Sequence, residues 1–416
     1  MTQARNLNVE TILIIGAGQA GGRAAETLRA QGFDGSVVLA GDEQHRPYER
    51  PALSKTVLTA ADDSDCFSAW LHSSDFYETN KIDWTADSVE LLDVRHRTAT
   101  LRSGRSIRFD KCLLTTGGRA RRLPGTPDSR HVFTLRTLQD AMRVRTRMVG
   151  ARSVAVIGGG FLGLEFAASA RARGIDVTVV EAGEQLLERA LPREFSERLR
   201  TKHEQNGVRF MLGAKLISST EEASGVTLSI APNVSERFEF AVVAIGQEPN
   251  EALARASGLM TGNGIHVDTY CRTSADGFYA AGDCANFPFG ASGRRLRLES
   301  WQNAQDQAIV AARNMLGESV EYRPSPWFWT DQYDWNVQML GILDSPVDQW
   351  IERQISIDKT LLMGLRDNAI TYALAVNNGG ELRAIRRLVE QATQVDPEAL
   401  ADPGVKLRQL ERQAHS

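Results

Sequence analysis

Thr11-Ile12-Leu13-Ile14-Ile15-Gly16-Ala17-Gly18-Gln19-Ala20-Gly21 is an apolar run that breaks into a glycine turn. The pattern returns at Val154-Ala155-Val156-Ile157-Gly158-Gly159-Gly160-Phe161-Leu162-Gly163. In each copy the first glycine (Gly16, Gly158) permits a tight turn out of a strand. The second (Gly18, Gly160) lets the backbone approach a pyrophosphate, and the third (Gly21, Gly163) lets a helix pack closely on the strand. The anion then lies at a helix N-terminus, among N–H groups and the positive end of the dipole. An acidic residue after the next strand should accept hydrogen bonds from a ribose. Both copies supply one: Ser36-Val37-Val38-Leu39-Ala40 leads into Gly41-Asp42-Glu43, and Asp176-Val177-Thr178-Val179-Val180 ends at Glu181. One such fingerprint is a weak signal. A pair predicts two dinucleotides on one polypeptide, which suits an enzyme passing electrons between cofactors.

The 416 residues leave room for two or three domains with substantial cores. A content of 42% hydrophobic and 24% charged residues is ordinary, and a formal net charge of −4 argues against nonspecific nucleic-acid binding. No apolar stretch reaches the length of a bilayer span, and Met1-Thr2-Gln3-Ala4-Arg5 opens no signal peptide. A cytoplasmic protein with no membrane segment is expected. Cys66, Cys112, Cys271 and Cys284 are scattered without a C-x-x-C pair, so neither a metal site nor a dithiol centre is expected.

Residues 11–40 and 152–181 read as two βαβ units. Leu91–Val94 and Thr98–Leu101 alternate around charged turns, as antiparallel strands do. Phe109–Gly118 and Phe240–Gly246 echo one another as apolar strands running into glycine, which supports two similar nucleotide-binding domains, the second inserted into the first. From Glu321 the composition changes, and Trp327, Phe328, Trp329, Tyr333 and Trp335 crowd together; a third domain is expected there. The aromatic cluster reads either as packing of a small domain or as a platform for an electron acceptor.

Further motifs stand in order along the chain: Pro47-Tyr48-Glu49-Arg50-Pro51-Ala52-Leu53-Ser54-Lys55, Leu113-Leu114-Thr115-Thr116-Gly117-Gly118, Gly163-Leu164-Glu165, Ala280-Ala281-Gly282-Asp283-Cys284-Ala285 and Pro326-Trp327-Phe328-Trp329-Thr330-Asp331-Gln332. With the two fingerprints they are spread along nearly the whole sequence. On them the chain resembles the FAD-dependent, NADH-dependent ferredoxin reductases that serve Rieske-type aromatic-ring oxygenases and bacterial cytochromes P450, within the glutathione-reductase-like flavoproteins. The resemblance implies an α/β fold of two Rossmann-like domains plus a C-terminal α+β domain. It puts an FAD domain at 1–118 and 245–320, an NAD domain at 119–244 and the C-terminal domain at 321–416.

The same resemblance implies site residues. FAD falls on Gly16, Gly18, Ala20 and Gly21, with Asp42 or Glu43 on the adenosine ribose, Asp42 being favoured. Arg50, Pro51, Val89 and Arg136 are expected to contact FAD, and Lys55 to lie close to the flavin ring. Gly282 and Asp283 fall on the ribityl or pyrophosphate region and Trp301 against the isoalloxazine. NADH falls on Gly158, Gly160, Phe161, Leu162, Gly163, Glu181 and Gly246. The Glu181 carboxylate, with no adjacent Arg or Lys, favours NADH over NADPH. Glu165 is expected near the nicotinamide carboxamide, paired with Lys55; these two carry the catalytic assignment, as positioning groups rather than as nucleophile or base.

The disulfide reductases of this superfamily carry two cysteines beside the flavin, whereas residues 42–55 here contain none. Electrons reaching the flavin must therefore leave directly to an acceptor. The expected partner is a small acidic [2Fe–2S] ferredoxin feeding a terminal oxygenase; rubredoxin, a quinone or oxygen are the alternatives. A partner-binding flavoprotein of the apoptosis-inducing kind is a further alternative, weakened because this chain shows no such targeting segment or insertion. A basic docking face is sought among Arg119, Arg121 and Arg122 or Arg294, Arg295 and Arg297. The chain is expected as a monomer or weak homodimer.

Overall fold

The computed structural model describes residues 9–60, 69–124, 126, 129–231, 233–290, 293–344, 346–356 and 358–413, with side chains to 410. Cys66 and the first five residues lie outside them. The chain divides into two compact units. One takes in the described parts of 1–52, 61–119 and 247–324; the other takes in 53–60, 120–246 and the described parts of 325–416.

The first unit is built on a parallel sheet. Its strands are β1 (Thr11–Ile15), β2 (Ser36–Ala40), β3 (Ile82–Thr85), β4 (Lys111–Leu114) and the strand Phe278–Ala280. Their order is Phe278–Ala280, β4, β1, β2, β3. The continuous apolar runs suit strands covered on both faces, and Ile12, Leu13, Leu113 and Leu114 are wholly buried. Helix α1 (Gln19–Ala30) packs against the helix Trp301–Met315. Ala20, Ala24 and Ala25 on one side and Ala304, Ala308, Ala311 and Ala312 on the other are buried there, small enough for a close approach. The antiparallel pairing expected near residue 92 is present, with Leu92 opposite Ala99.

The second unit repeats the parallel sheet with β5 (Val132–Thr134), β6 (Ser153–Ile157), β7 (Asp176–Val180), β8 (Val208–Met211) and β9 (Phe240–Val243) in the order β8, β7, β6, β9, β5. Helix α2 (Phe161–Ala172) follows β6, and α3 (Arg193–Gln205) precedes β8. The turn bonds also correspond. Gly16 N–H donates to the Ala40 carbonyl at 2.7 Å, and Gly158 N–H to the Val180 carbonyl at 2.9 Å.

Within this same unit the C-terminal residues form an antiparallel sheet. Strands β10 (Trp327–Gln332), β11 (Trp335–Gly341), β12 (Gln349–Ser356), β13 (Lys359–Arg366) and β14 (Ala369–Val376) run in the order β10, β11, β14, β13, β12. Strand alternation splits its side chains between two cores. Leu340, Ala373 and Ala375 face Leu382, Ile385 and Leu388 of helix α4 (Gly379–Glu390). Val337, Met339, Tyr372 and Leu374 join Leu164, Phe195 and Leu199 of α2 and α3. The aromatic crowd thus belongs largely to the hairpin β10–β11, where Trp327 and Trp329 stack at 5.0 Å. Among the described residues no helix is long and apolar enough to cross a membrane.

One buried charge anchors the chain end. Arg353 on β12 is 2% exposed. It pairs with Glu381 at 3.0 Å and donates to the carbonyls of Pro403 at 3.1 Å, Val405 at 2.7 Å and Asp402. Removing the guanidinium takes the charged partner from Glu381 and the side-chain donor from the Pro403 and Val405 carbonyls, a loss on the order of 3–5 kcal/mol. Arg353→Met should therefore release residues 397–407 first, read as early amide exchange there while exchange in β6 and β7 stays slow.

Candidate active site

In the first unit, the three glycines of the fingerprint differ in what a side chain would meet. A Cβ on Gly16 (φ +116°) would collide with the Thr115 carbonyl, and one on Gly21 with the Gly16 carbonyl. These two glycines are demanded by the protein's own packing. At Gly18 the nearest atom is Nη2 of Arg50, at 3.9 Å. Space is kept there, facing a guanidinium. Gly18 is also the N-cap of α1, with no side-chain cap and no acidic residue in the first turn, so the terminal N–H groups are left for an anion. Gln19, buried at this terminus, has both amide atoms without a hydrogen-bond partner.

Arg50 is fixed by residues that the sequence reading named without linking them to it. It donates to Glu43 at 2.7 Å and to the Tyr48 hydroxyl at 3.1 Å, and Tyr48 donates to the same carboxylate at 2.5 Å. Burial pulls the guanidinium's pKa down, but Tyr48, Glu43 and Asp283 together outweigh it and hold the pKa above its ordinary value. Glu43 is thus engaged by Arg50, while Asp42 is exposed. Asp283 accepts from Gln247 at 3.0 Å, and Gly282 N–H donates to Gln307 at 2.9 Å. Gly282 (φ +81°) faces Ala20 and Ala304. Trp301 opens its helix, half-buried, after the N-cap Ser300. Pro51 sits in a short 3₁₀ turn with Arg50, and Val89 is half-buried, paired with Leu101 against the core.

The second fingerprint repeats the steric logic. Cβ atoms on Gly158 (φ +109°) and Gly163 would strike the carbonyls of Ala244 and Gly158, whereas one on Gly160 would meet nothing within 4 Å. Gly160 caps α2 with no side-chain bond and no acid in the first turn. The Glu181 carboxylate accepts from Gly159 N–H at 2.6 Å and Gly183 N–H at 2.7 Å. It therefore fixes both the glycine turn and its own loop while keeping further lone pairs for a ribose. Gly246 (φ +92°) also faces open space. Leu162 is half-buried, and Phe161 lies 4.4 Å from the ring of Phe328. Both cradles suit a dinucleotide.

Lys55 and Glu165, expected as a pair from positions far apart in the chain, meet in the second unit at 2.9 Å. Glu165 is 6% exposed, a burial that a carboxylate tolerates only among donors. It has three: Lys55, the Ser54 hydroxyl at 2.5 Å and the Thr330 hydroxyl at 2.6 Å. Ser54 and Thr330 were quoted within motifs, but their role as donors was not read. Asp331 also lies 3.9 Å from Lys55. Behind Thr330 stand Gln332 at 3.1 Å, then His203 at 2.7 Å, then Tyr333 at 3.0 Å. Burial pushes His203 down to about 4, so its ring is neutral at ordinary pH.

Other expected residues stand elsewhere. Arg136 is half-buried in the second unit, its N–H donating to Asp140 at 3.0 Å inside the capping box of the helix Leu138–Met148. Arg297 corrects the expected basic face. Its side chain is 9% exposed and pairs with Glu299, and it donates to the Asp283 carbonyl at 3.2 Å. It is a support for the Gly282-Asp283 turn, not a docking charge. Arg295 is exposed yet gives its Nη2 to the Val267 carbonyl at 2.8 Å. Arg119 is exposed and paired with Glu248 at 2.8 Å.

Comparison with known proteins agrees with this reading. The reductase component named 3-phenylpropionate/cinnamic acid dioxygenase ferredoxin–NAD(+) reductase of Photorhabdus laumondii subsp. laumondii is 36% identical over 390 residues, covering 93% of this chain and 98% of its own. The ferredoxin–NAD(+) reductase component of the anthranilate 1,2-dioxygenase system of Burkholderia cepacia is 36% identical over 405 residues, covering 97% and 99%. Among solved structures, the ferredoxin reductase for the CYP199A2 system of Rhodopseudomonas palustris superposes with a TM-score of 0.91 at 33% identity, covering 96% of this chain and 99% of that one. A covalent putidaredoxin reductase–putidaredoxin complex gives 0.92 at 29% identity, covering 99% and 100%. Residues 327–411 match the reductase C-terminal family. With residues 10–308 matching its profile, the chain belongs to the pyridine nucleotide-disulphide oxidoreductase family.

Proposed function

We propose that this chain is an NADH-dependent ferredoxin reductase of an oxygenase system: bound FAD supplies two-electron chemistry toward NADH and one-electron chemistry toward a small [2Fe–2S] ferredoxin. The observation that carries the proposal is the pair of cradles, each with a second glycine at which a Cβ would meet no collision and a helix without a side-chain cap behind it. A segment 42–55 free of cysteine leaves no local thiol to divert the electrons. Cys112, Cys271 and Cys284 are free and buried, as suits the reducing cytoplasm.

On this reading Gly18 and the α1 terminus bind the FAD pyrophosphate, with Arg50 as its countercharge and Gly282-Asp283 beside it. Asp42, exposed after β2, takes the adenosine ribose. Gly160, the α2 terminus and Glu181 hold NADH. Lys55 places a cation at the flavin, and Glu165 sets where that cation stands. The relatives' names, each a ferredoxin–NAD(+) reductase component of a dioxygenase system, support the same acceptor.

The decisive experiment is anaerobic titration with NADH followed by mixing with oxidised [2Fe–2S] ferredoxin. Bleaching of the flavin band, then its return as ferredoxin is reduced, is expected. Bleaching without transfer would discard the acceptor, and absence of flavin from folded protein would discard the whole reading. Gly18→Ala should leave thermal stability near the parent's but weaken FAD retention, whereas Gly16→Ala should unfold the turn. Lys55→Met should slow flavin reduction by about a hundredfold; an unchanged rate in rapid mixing removes Lys55 from this role. Glu181→Ala should raise the KM for NADH about tenfold, the cost of a lost charged acceptor, with less effect on NADPH.

A further inference from the structure

The hydrogen bonds behind Glu165 have a determined direction. A carboxylate only accepts, so the Thr330 hydroxyl must give its proton to Glu165 Oε1 at 2.6 Å. With that proton spent, Thr330 Oγ1 takes its other bond, at 3.1 Å, from the Gln332 amide N–H. The amide is thereby oriented, its oxygen turned to His203 Nε2 at 2.7 Å, and that nitrogen must donate. In the neutral ring Nδ1 is then the acceptor, 3.0 Å from the Tyr333 hydroxyl. Every donor in the series points the same way, toward Glu165.

We propose that Thr330, Gln332, His203 and Tyr333 form a polarised relay of dipoles that locks the Glu165 carboxylate into one orientation, making them positioning residues for Lys55. The inference rests on the reading that Lys55 and Glu165 serve the flavin site. Geometry supports it at each link. Thr330, Gln332 and His203 are 1% exposed or less, so water does not compete for their bonds. Aligned bonds in such surroundings strengthen one another. The ring of His203 is boxed edge-on by Phe210 at 5.9 Å and Tyr333 at 5.0 Å, which fixes its plane. Tyr333 reaches the ring from the two-residue turn between β10 and β11, where it adopts φ +57°, a conformation easier for glycine than for a tyrosine. Depression of the His203 pKa by burial keeps the imidazole from donating at both nitrogens, which would reverse the last link. Thr330 and Lys55 act on the same carboxylate oxygen, so loss of the hydroxyl frees Glu165 to turn and Lys55 to follow.

The test uses the FAD-loaded full chain. Histidine nitrogen NMR, assigned through His203→Gln, should show a neutral Nε2–H tautomer whose signal moves in both Gln332→Leu and Thr330→Val. An Nδ1–H tautomer, or a signal unmoved by Thr330→Val, overturns the relay without any turnover being measured. In rapid mixing, Thr330→Val should lower the limiting rate of flavin reduction about tenfold while the NADH dissociation constant changes less than threefold. Thr330→Ser should recover that rate. Equal loss in Val and Ser variants, or loss confined to stability, would make Thr330 structural only. Lys55→Met and Glu165→Gln run alongside. If both leave the rate intact, the underlying reading fails; if they slow it and Thr330→Val does not, the relay alone fails.

Discussion

A carboxylate removed from water loses several kcal/mol of hydration unless donors replace it. Glu165 is almost wholly buried, and its surroundings are organised around that need. The donors reach α2 from two other stretches of the second unit: Ser54 and Lys55 before the helix Thr56–Thr59, and Thr330 on β10. Ser54 is itself fixed, its carbonyl accepting from Ser169 one turn further along α2 at 2.7 Å. This explains why residues 53–60 cluster with the second unit although their neighbours in sequence do not. It also gives the C-terminal sheet a share in holding this carboxylate, because its first strand supplies one of the three donors.

What could be read from the sequence divides along a physical line. Gly16, Gly21, Gly158 and Gly163 were legible because the collision that forbids a side chain lies within one strand–turn–helix unit or its adjoining strand, so the constraint prints itself as a local motif. The Lys55–Glu165 pair was reachable only through resemblance. Its other donors were not read, because Ser54 and Thr330 stand 111 and 165 residues from Glu165 and neither residue type announces a buried partner. Thr330 was further hidden among tryptophans, whose bulk drew attention to packing. The meander Leu216–Glu222, Gly225–Ile230 and Val234–Phe238 escaped notice for another reason. Its first strand has no buried residue and so no clear alternation.

Charge was the least legible property. Arg294, Arg295 and Arg297 look alike as a run, yet they sit in different environments: Arg297 is half-buried and bonded to the Asp283 carbonyl, while Arg294 and Arg295 are exposed. Arg294 and Arg295 stand on the short strand Arg294–Leu296, whereas Arg297 lies beyond its end and is held by Glu299 and the Asp283 carbonyl, so a basic run in sequence is not a basic patch in space. Asp42 and Glu43 part in the same way, one exposed and the other engaged by Arg50 and Tyr48.

The strand Phe278–Ala280 and the helix Trp301–Met315 complete the first unit from late in the chain. Domains fold as units while the ribosome is still delivering them. The sheet β5–β9 is finished by residue 243, whereas β4 waits for its outer neighbour and α1 for its covering helix until synthesis passes residue 315. The fingerprint that is made first therefore waits longest for its cover, since α1 ends at Ala30 and its covering helix begins at Trp301. For about 270 residues of elongation, from Ala30 to Trp301, the apolar face of α1 stands open, and a nascent chain of this kind has a long interval in which chaperone or flavin can reach it before its own helix does.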